Sequence, residues 1–366
     1  MTPRQGAGLA AGVCLLAAAI GLTLGRSGAA VPGATAGLPH ATPAVAALPA
    51  AQDGAGLRLP IACTPGHDCA VQNHVDRDPG PAVRDYRCGS RTYQDHNGTD
   101  FRLPDQAAAD RGVDVLAAAP GVVLRIRDGV PDQSVRVRGA AAVEGTECGN
   151  GLVIDHGNGL TTQYCHLASG SLAVQPGQTV AAGTVVGRVG LSGQTEYPHL
   201  HFTVRREATV IDPFQPGPAR DCPAGSPSAP GTALPASLWT PEAAALMPYR
   251  PREVLNAGFT ASAVTMEAIE AGGLAPAARG GPVLIAFVRA LGLQAGDVEE
   301  LVVTGPDGRV WSEVRGKPLT GDRAQQMVFT GRRLRTEAWP AGPWTARYRV
   351  RAGDAVVLEH RIDIRL

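Results

Sequence analysis

The chain has 366 residues, more than one hydrophobic core usually supports, so we expect two folded domains with connecting segments. Its 33 basic and 33 acidic side chains give a formal net charge of zero. This balance gives no reason to expect a polyanion such as nucleic acid as a partner, nor long-range electrostatic steering of a charged substrate.

The N-terminus has the layout of a secretory signal. A basic start at Arg4 is followed by an apolar run from Leu9 to Ile20 and then by small residues at 28–30. A second interpretation is an uncleaved membrane anchor over residues 7–24, because this stretch approaches the length that spans a bilayer. Both interpretations of residues 1–30 place the rest of the chain in the periplasm or outside the cell.

Residues 31–56 are rich in alanine and proline and nearly uncharged, so they are predicted to be a linker that cannot bury enough apolar surface to fold. Apart from Cys14 in the apolar run, the cysteines are Cys63, Cys69, Cys88, Cys148, Cys165 and Cys222. An even set in an exported chain predicts disulfide bonds. Proximity suggests only the pairing of Cys63 with Cys69. A disulfide at Cys165 would brace the adjacent His166.

Residues 57–215 are predicted to be an all-β domain with a cysteine-rich segment at its start. Short β-branched runs alternate with glycine turns between residues 112 and 214. Residues 174–187 also look like the hairpins of barrel-sandwich domains that carry biotin or lipoate. Those carriers need a lysine at a hairpin tip, and the single lysine of this chain, Lys317, lies in the other predicted domain.

The C-terminal part is predicted to contain a linker and then a second β-domain. Residues 216–245 are rich in proline, serine and alanine, and near their end Thr240 and Pro241 form a helix-start signal. Residues 246–366 carry about seven short predicted strands with turn signals about every ten residues, which indicates an immunoglobulin-like β-sandwich.

Two histidines separated by one leucine form the most informative motif of the chain. Side chains alternate faces along a strand, so His199 and His201 are predicted to face one side while Leu200 faces a core. Far upstream, His96 and Asp100 stand four positions apart. Imidazole and carboxylate groups suit a zinc ion that keeps one position open for water.

Four segments share a family pattern: residues 91–101 (RTYQDHNGTDF), 162–167 (TQYCHL), 189–193 (VGLSG) and 198–202 (PHLHF). With this order and flanking pattern, residues 86–214 resemble the lysostaphin/LytM-type zinc metallopeptidases, bacterial enzymes that cut the peptides of peptidoglycan. The resemblance implies an antiparallel β-sheet peptidase domain. It does not extend to the predicted sandwich.

The resemblance also implies roles for five residues. His96, Asp100 and His201 match the ligands of one zinc ion per chain, with water in the fourth position. His166 and His199 match active-site histidines that do not bind the metal. Hydrolysis needs a base for the water and a donor for the developing oxyanion, and these two histidines can divide the tasks in either order.

The implied function is that of an exported zinc-dependent endopeptidase that hydrolyses amide bonds in peptidoglycan stem or cross-link peptides with a metal-activated water. Tyr93 and Ser192 are expected at the substrate groove. The alternative is a non-catalytic, cell-wall-binding activator of another murein hydrolase, and the presence of every expected ligand favours the enzyme. The sandwich is left with three candidate roles: binding the wall, binding a partner or occluding the groove.

Overall fold

The computed structural model describes residues 56–218, 222 and 237–366. The predicted signal or anchor (1–30), nearly all of the first linker (31–56) and most of the second lie outside the described residues. Within the described ranges, no helix is long and apolar enough to span a membrane. Antiparallel strands dominate the described chain, which confirms the predicted all-β class.

The N-terminal part of the described chain is built on a large antiparallel sheet. The strands of this part of the chain are β1 (Ala70–Asn73), β2 (Thr99–Arg102), β3 (Asp114–Leu116), β4 (Gly121–Arg127), β5 (Asn150–Asp155), β6 (Leu160–Leu167), β7 (Thr179–Val180), β8 (Val185–Arg188), β9 (His199–Arg206) and β10 (Thr209–Ile211). Its short helices are α1 (Gln106–Asp110), α2 (Val135–Arg138) and a 3-10 turn, Ala140–Ala142. Eight strands form the main sheet in the order β1-β2-β9-β6-β5-β4-β7, with β10 also paired to β9, while β3 pairs with β8.

The register of three neighbouring strands brings distant residues side by side. Strand β9 pairs with β2 so that His201 lies opposite Asp100, and it pairs with β6 so that His201 also lies opposite Cys165. Leu200 and Phe202, on the opposite face of β9, are fully buried in the core of this part. The alternation expected from the sequence is therefore present on β9.

Part of the segment assigned to the second linker packs on this same core. Trp239 is buried against Phe202 and Phe214, with ring centroids 5.7 and 5.5 Å away. Helix α3 (Pro241–Leu246) follows, and the Thr240 side chain accepts a hydrogen bond from the backbone N–H of Ala243, as the helix-start signal predicts.

The C-terminal part forms two facing sheets. Its elements are β11 (Glu253–Thr260), α4 (Met266–Ala271), β12 (Val283–Leu293), β13 (Asp297–Thr304), β14 (Val310–Arg315), β15 (Arg323–Arg333), β16 (Pro343–Ala352) and β17 (Ala355–Arg365). One sheet has the order β11-β12-β15 and the other β14-β13-β16-β17. Val288 from the first sheet and Tyr348 from the second share one buried cluster, which is the arrangement of the predicted β-sandwich.

Three disulfides join the six cysteines that the structure describes. Cys63 pairs with Cys69, as proximity suggests. Cys88 pairs with Cys222, which attaches the start of the second linker to the N-terminal part. Cys148 pairs with Cys165 next to His166.

All the described residues belong to one compact unit, in which the N-terminal and C-terminal parts make polar contacts. Arg91 forms a buried ion pair with Glu253, 2.7 Å between Nη2 and Oε1. Asn256 Nδ2 donates to the carbonyl of Pro104 at 3.2 Å, and Arg289 also donates to that carbonyl. The division into domains at residues 57–215 and 246–366 stays a prediction.

Replacing Phe202 by alanine is expected to lower the free energy of unfolding by about 3–5 kcal/mol, because a fully buried ring would leave a cavity between Tyr164 and Trp239. Urea unfolding followed by tryptophan fluorescence measures this loss. The control is Leu124→Ala on β4, where the side chain is 47% exposed. An equal loss in both variants would contradict the assignment of Phe202 to the core.

Candidate metal centre

Three predicted ligands, from β9, β2 and the loop before β2, meet at one point. His96 Nε2 lies 3.2 Å from Asp100 Oδ1 and 3.2 Å from His201 Nδ1. Asp100 Oδ1 lies 2.9 Å from His201 Nδ1. Zinc bonds of about 2.0–2.1 Å place the corners of a tetrahedron about 3.3 Å apart. The three atoms therefore fit three corners of a tetrahedral zinc site.

Hydrogen bonds select which nitrogen of each ligand histidine faces this point. His96 Nδ1 lies 2.7 Å from the carbonyl oxygen of His74 and donates to it, so the Nε2 lone pair faces the centre. His201 Nε2 lies 2.9 Å from Asn97 Oδ1 and 3.1 Å from Thr203 Oγ1. Donation from Nε2 to Asn97 leaves the Nδ1 lone pair of His201 facing the centre.

The carboxylate of Asp100 is oriented in the same way. Asn73 Nδ2 donates to its Oδ2 at 2.8 Å, which leaves Oδ1 directed at the two ligand histidines. Burial acts to raise the pKa of Asp100, but the neighbouring His96 and His199 hold it well below its ordinary value. Asp100 is therefore an ionised carboxylate.

Sequence reasoning missed the groups that orient the ligands. Asn73 is opposite Asp100 in the β1–β2 pairing, a contact that strand register alone creates. His74 acts through its backbone carbonyl, while its ring is buried beside Tyr86 and Phe214, and burial lowers the pKa of this ring to about 3. The position of Asn97, directly after His96 in the family-like segment, was the one available sequence signal.

The two non-ligand histidines lie beside the centre in matching orientations. His166 Nδ1 donates to the carbonyl of Ser192 at 2.8 Å, and His199 Nδ1 donates to the carbonyl of Tyr197 at 3.0 Å. Their ring centroids are 4.6 Å apart, and His199 Nε2 lies 3.6 Å from Asp100 Oδ1. Each neutral ring thus keeps an unprotonated Nε2, which is a hydrogen-bond acceptor.

Burial lowers the pKa of both non-ligand histidines. The pKa of His166 lies well below its ordinary value because of burial and the neighbouring His199 and His201. Burial also lowers the pKa of His199, although Asp100 opposes this effect. Both rings are therefore neutral at neutral pH.

His166 has a left-handed backbone conformation, with φ of 64°, which is uncommon for a residue with a side chain. Its backbone N–H donates to the carbonyl of Cys148 at 2.8 Å, and its own carbonyl accepts from Gly190 at 2.9 Å. The disulfide between Cys148 and Cys165 adds a covalent constraint beside it. The disulfide thus lies next to His166, where the sequence predicts it, and its bracing role stays a prediction.

An open cleft of about 370 Å³ leads to the centre. It is lined by Tyr93, Asp95, His96, Asn97, Glu147, Cys148, Gln163, Cys165, His166, Gln194, His201, Thr203 and Arg205. Tyr93 is 53% exposed, and its ring centroid lies 4.4 Å from that of His96. The structure therefore places the Tyr93 side chain at the mouth of the cleft.

The position of Ser192 corrects the expectation that it lines the groove. Its side chain is fully buried, donates to the carbonyl of Leu167 at 2.7 Å and accepts from the backbone N–H of Asn150 at 2.9 Å. These contacts turn the hydroxyl towards the interior of the sheet. Ser192 contributes to the site through its backbone carbonyl, which holds His166.

Comparisons with known proteins match the part of the chain that contains this centre. Residues 94–213 match the model of peptidase family M23, and this part of the chain is therefore an M23 peptidase domain of the LytM type. The chain is 34% identical over 107 residues to the peptidoglycan DD-endopeptidase ShyA of Vibrio cholerae. The aligned stretch is 29% of this chain and 19% of that protein. It is 32% identical over 123 residues to the DD-carboxypeptidase/endopeptidase Mpg of Neisseria meningitidis, and this stretch is 33% of this chain and 23% of that protein.

A third similar protein is the cell division protein DipM of Caulobacter vibrioides, 30% identical over 125 residues, covering 34% of this chain and 17% of that protein. The chain thus spans less than a quarter of the length of these curated relatives. Among solved structures, a zinc-containing peptidase from Vibrio cholerae matches with 27% identity and a TM-score of 0.26, covering 39% of this chain and 38% of the other.

Replacing Asn73 by alanine is expected to weaken Zn²⁺ binding by about 10- to 100-fold, because Asp100 would lose the hydrogen bond that orients it while all three ligands remain. Competition with a chromophoric chelator measures the affinity. The control is Gln175→Ala in an exposed turn away from the cleft. Unchanged Zn²⁺ affinity in the Asn73 variant would refute this orienting role.

Proposed function

We propose that this chain is an exported, zinc-dependent endopeptidase that hydrolyses amide bonds in peptidoglycan stem or cross-link peptides. The observation that carries the proposal is the convergence of His96 Nε2, Asp100 Oδ1 and His201 Nδ1 within 2.9–3.2 Å of one another beside an open cleft. The M23 domain and the similarity to a peptidoglycan DD-endopeptidase support the reaction and the substrate class.

Zinc suits the donor set of two imidazole nitrogens and one carboxylate oxygen; held by His96, Asp100 and His201, it would acidify a water to a pKa of about 7 and polarise the amide carbonyl. The chain itself must supply a group that accepts the proton of the attacking water. His166 and His199 each present an unprotonated Nε2, because the Nδ1–H of each is held by a backbone carbonyl. Both are therefore suited to the role of base.

The two histidines differ in how well they hold a proton. Protonated His199 would be stabilised by the Asp100 carboxylate, 3.6 Å from its Nε2, and could then pass the proton to the leaving amine. The pKa of His166 lies well below its ordinary value. We therefore assign the base to His199, with His166 helping to position the water as an acceptor.

The oxyanion needs a donor, and the neutral histidines offer none at Nε2. The hydroxyl of Tyr93, at the mouth of the cleft beside His96, is a phenolic donor that can donate a hydrogen bond to the oxyanion. This assignment differs from the expectation that His166 and His199 divide the roles of base and oxyanion donor. The reason is that both Nδ1–H groups point away from the centre.

Export is part of the proposal. The three disulfides of the described chain form and persist in oxidising compartments such as the periplasm or the extracellular space. Peptidoglycan lies in those same compartments. A membrane anchor through residues 7–24 would keep the enzyme close to the growing wall.

The proposal is tested by digesting purified sacculi with the full chain, with and without a zinc chelator, and analysing the products by mass spectrometry. Conversion of cross-linked muropeptides to monomers, abolished by the chelator, is the expected result. Release of sugar strands from intact peptides would instead indicate an amidase. No product from this chain alone, with stimulation of a second hydrolase, would indicate the non-catalytic activator.

The division of roles predicts different behaviour for three substitutions. His201→Ala should lose both zinc and hydrolysis, because it removes a ligand. His166→Ala and His199→Ala should retain zinc and lose turnover by at least about 100-fold. Metal analysis and muropeptide release measure the two effects separately. Equal zinc loss in all three variants would refute the distinction between ligands and bases.

The neutral state of the non-ligand histidines predicts the pH dependence of hydrolysis. Because burial lowers the pKa of both rings, they remain acceptors as the pH falls through the ordinary histidine range and are protonated only below it. The rate should therefore hold as the pH falls from 8 through the ordinary histidine range and should fall only below that range. Zinc content measured at each pH is the control for metal loss. A rate independent of pH down to pH 4 would exclude a histidine base.

A further inference from the structure

A buried arginine links the C-terminal sandwich to the catalytic centre. Arg102 ends β2, lies opposite His199 in the β2–β9 register and is fully buried. It stands two positions after Asp100, on the same face of the strand. A guanidinium group at such a position is costly unless charged and polar partners surround it.

Two of the partners of Arg102 come from the sandwich. Its Nη2 forms an ion pair with Glu270 Oε2 on α4 at 2.7 Å, and its Nη1 donates to Gln325 Oε1 on β15 at 3.1 Å. Gln72, on β1, accepts from the same Nη1 at 2.7 Å. Arg289 also pairs with Glu270, so the carboxylate of Glu270 bridges two buried guanidinium groups.

Arg102 and Gln72 also contact Tyr197, in the segment that holds His199. The guanidinium carbon of Arg102 lies 3.7 Å from the centroid of the Tyr197 ring, a cation–π contact. Gln72 Nε2 donates to the Tyr197 hydroxyl at 2.7 Å. The backbone carbonyl of Tyr197 in turn accepts the Nδ1–H of His199 at 3.0 Å. An unbroken series of contacts therefore runs from Glu270 to the His199 ring.

We propose that the sandwich completes the active site: Glu270, through Arg102 and Tyr197, holds His199 in the tautomer and orientation needed for hydrolysis. Glu270, Arg102 and Tyr197 are positioning residues, since none of them contacts the ligand atoms. This inference rests on the proposed function. It gives the sandwich a role within the catalytic centre, which is separate from binding the wall or a partner and from occluding the groove.

The test compares Glu270→Gln with Glu253→Gln in the full chain. Both changes neutralise an ion pair between the two parts. The pair of Glu253 with Arg91 contacts neither Tyr197 nor His199 among the described residues, and Arg91 contacts the backbone carbonyl of Gln72 but not its side chain. Glu270→Gln is expected to lower kcat by about 10- to 100-fold at unchanged KM and zinc content, because His199 would lose its fixed orientation. Glu253→Gln is expected to retain the kcat of the unaltered chain.

A second readout does not depend on activity. Nitrogen NMR of histidine-labelled, metal-free protein reports which ring nitrogen of His199 carries the proton. The unaltered chain and Glu253→Gln should show the Nδ1–H tautomer alone, and Glu270→Gln a mixture of tautomers. If the unaltered chain proves inactive on sacculi, the proposed function fails, and this measurement still decides the positioning role.

Two outcomes would overturn the inference. One is an unchanged kcat together with an unchanged His199 tautomer in Glu270→Gln. The other is an equal fall in kcat for both glutamine variants, which would mean that the interface acts only through general stability. Arg102→Lys is the confirming variant: it keeps the charge near Glu270 but loses the flat guanidinium face against Tyr197, and should reproduce the Glu270→Gln tautomer mixture.

Discussion

The antiparallel pairing of β2 with β9 is the constraint on which the rest of the structure depends. It sets Asp100 opposite His201 and Arg102 opposite His199, so one register builds both the ligand set and the contact with the sandwich. Because the side-chain period of a strand is two, a slip of one residue would turn the histidines into the core and expose Leu200. The same hydrophobic alternation that stabilises the sheet therefore specifies the chemistry on its other face.

Backbone carbonyls orient three of the four imidazoles at the centre. Those of His74, Tyr197 and Ser192 each accept an Nδ1–H, from His96, His199 and His166 respectively. A carbonyl is present at every position of the chain, so this orientation depends on the path of the backbone, which at Tyr197 is held in turn by the side chains of Arg102 and Gln72. The pattern of proton donors and acceptors around the centre is thus a property of the fold.

The parts of this structure that follow a local pattern could be predicted, and those that depend on tertiary contacts could not. The period of two on β9 identified both the core face and the site face, and turn spacing identified the sandwich. Asn73 and the carbonyl of His74 carry no residue-type signal for a role at a metal centre. Ser192 was assigned to the groove because it lies in a loop, but its hydroxyl is buried, donating to the carbonyl of Leu167 and accepting from the N–H of Asn150. Arg102 and Glu270 are 168 positions apart, and no local pattern connects them.

The segment that connects the two parts is fixed at both ends to the same body. Cys222 is covalently bound to Cys88, and Trp239 is packed in the first core. A single proteolytic cut between Cys222 and Trp239 would therefore yield two polypeptides that stay assembled, joined by the buried ion pairs and by the residues after Trp239 that pack on the first core. On a denaturing gel such a protein would run as fragments, while in gel filtration it would elute as one particle.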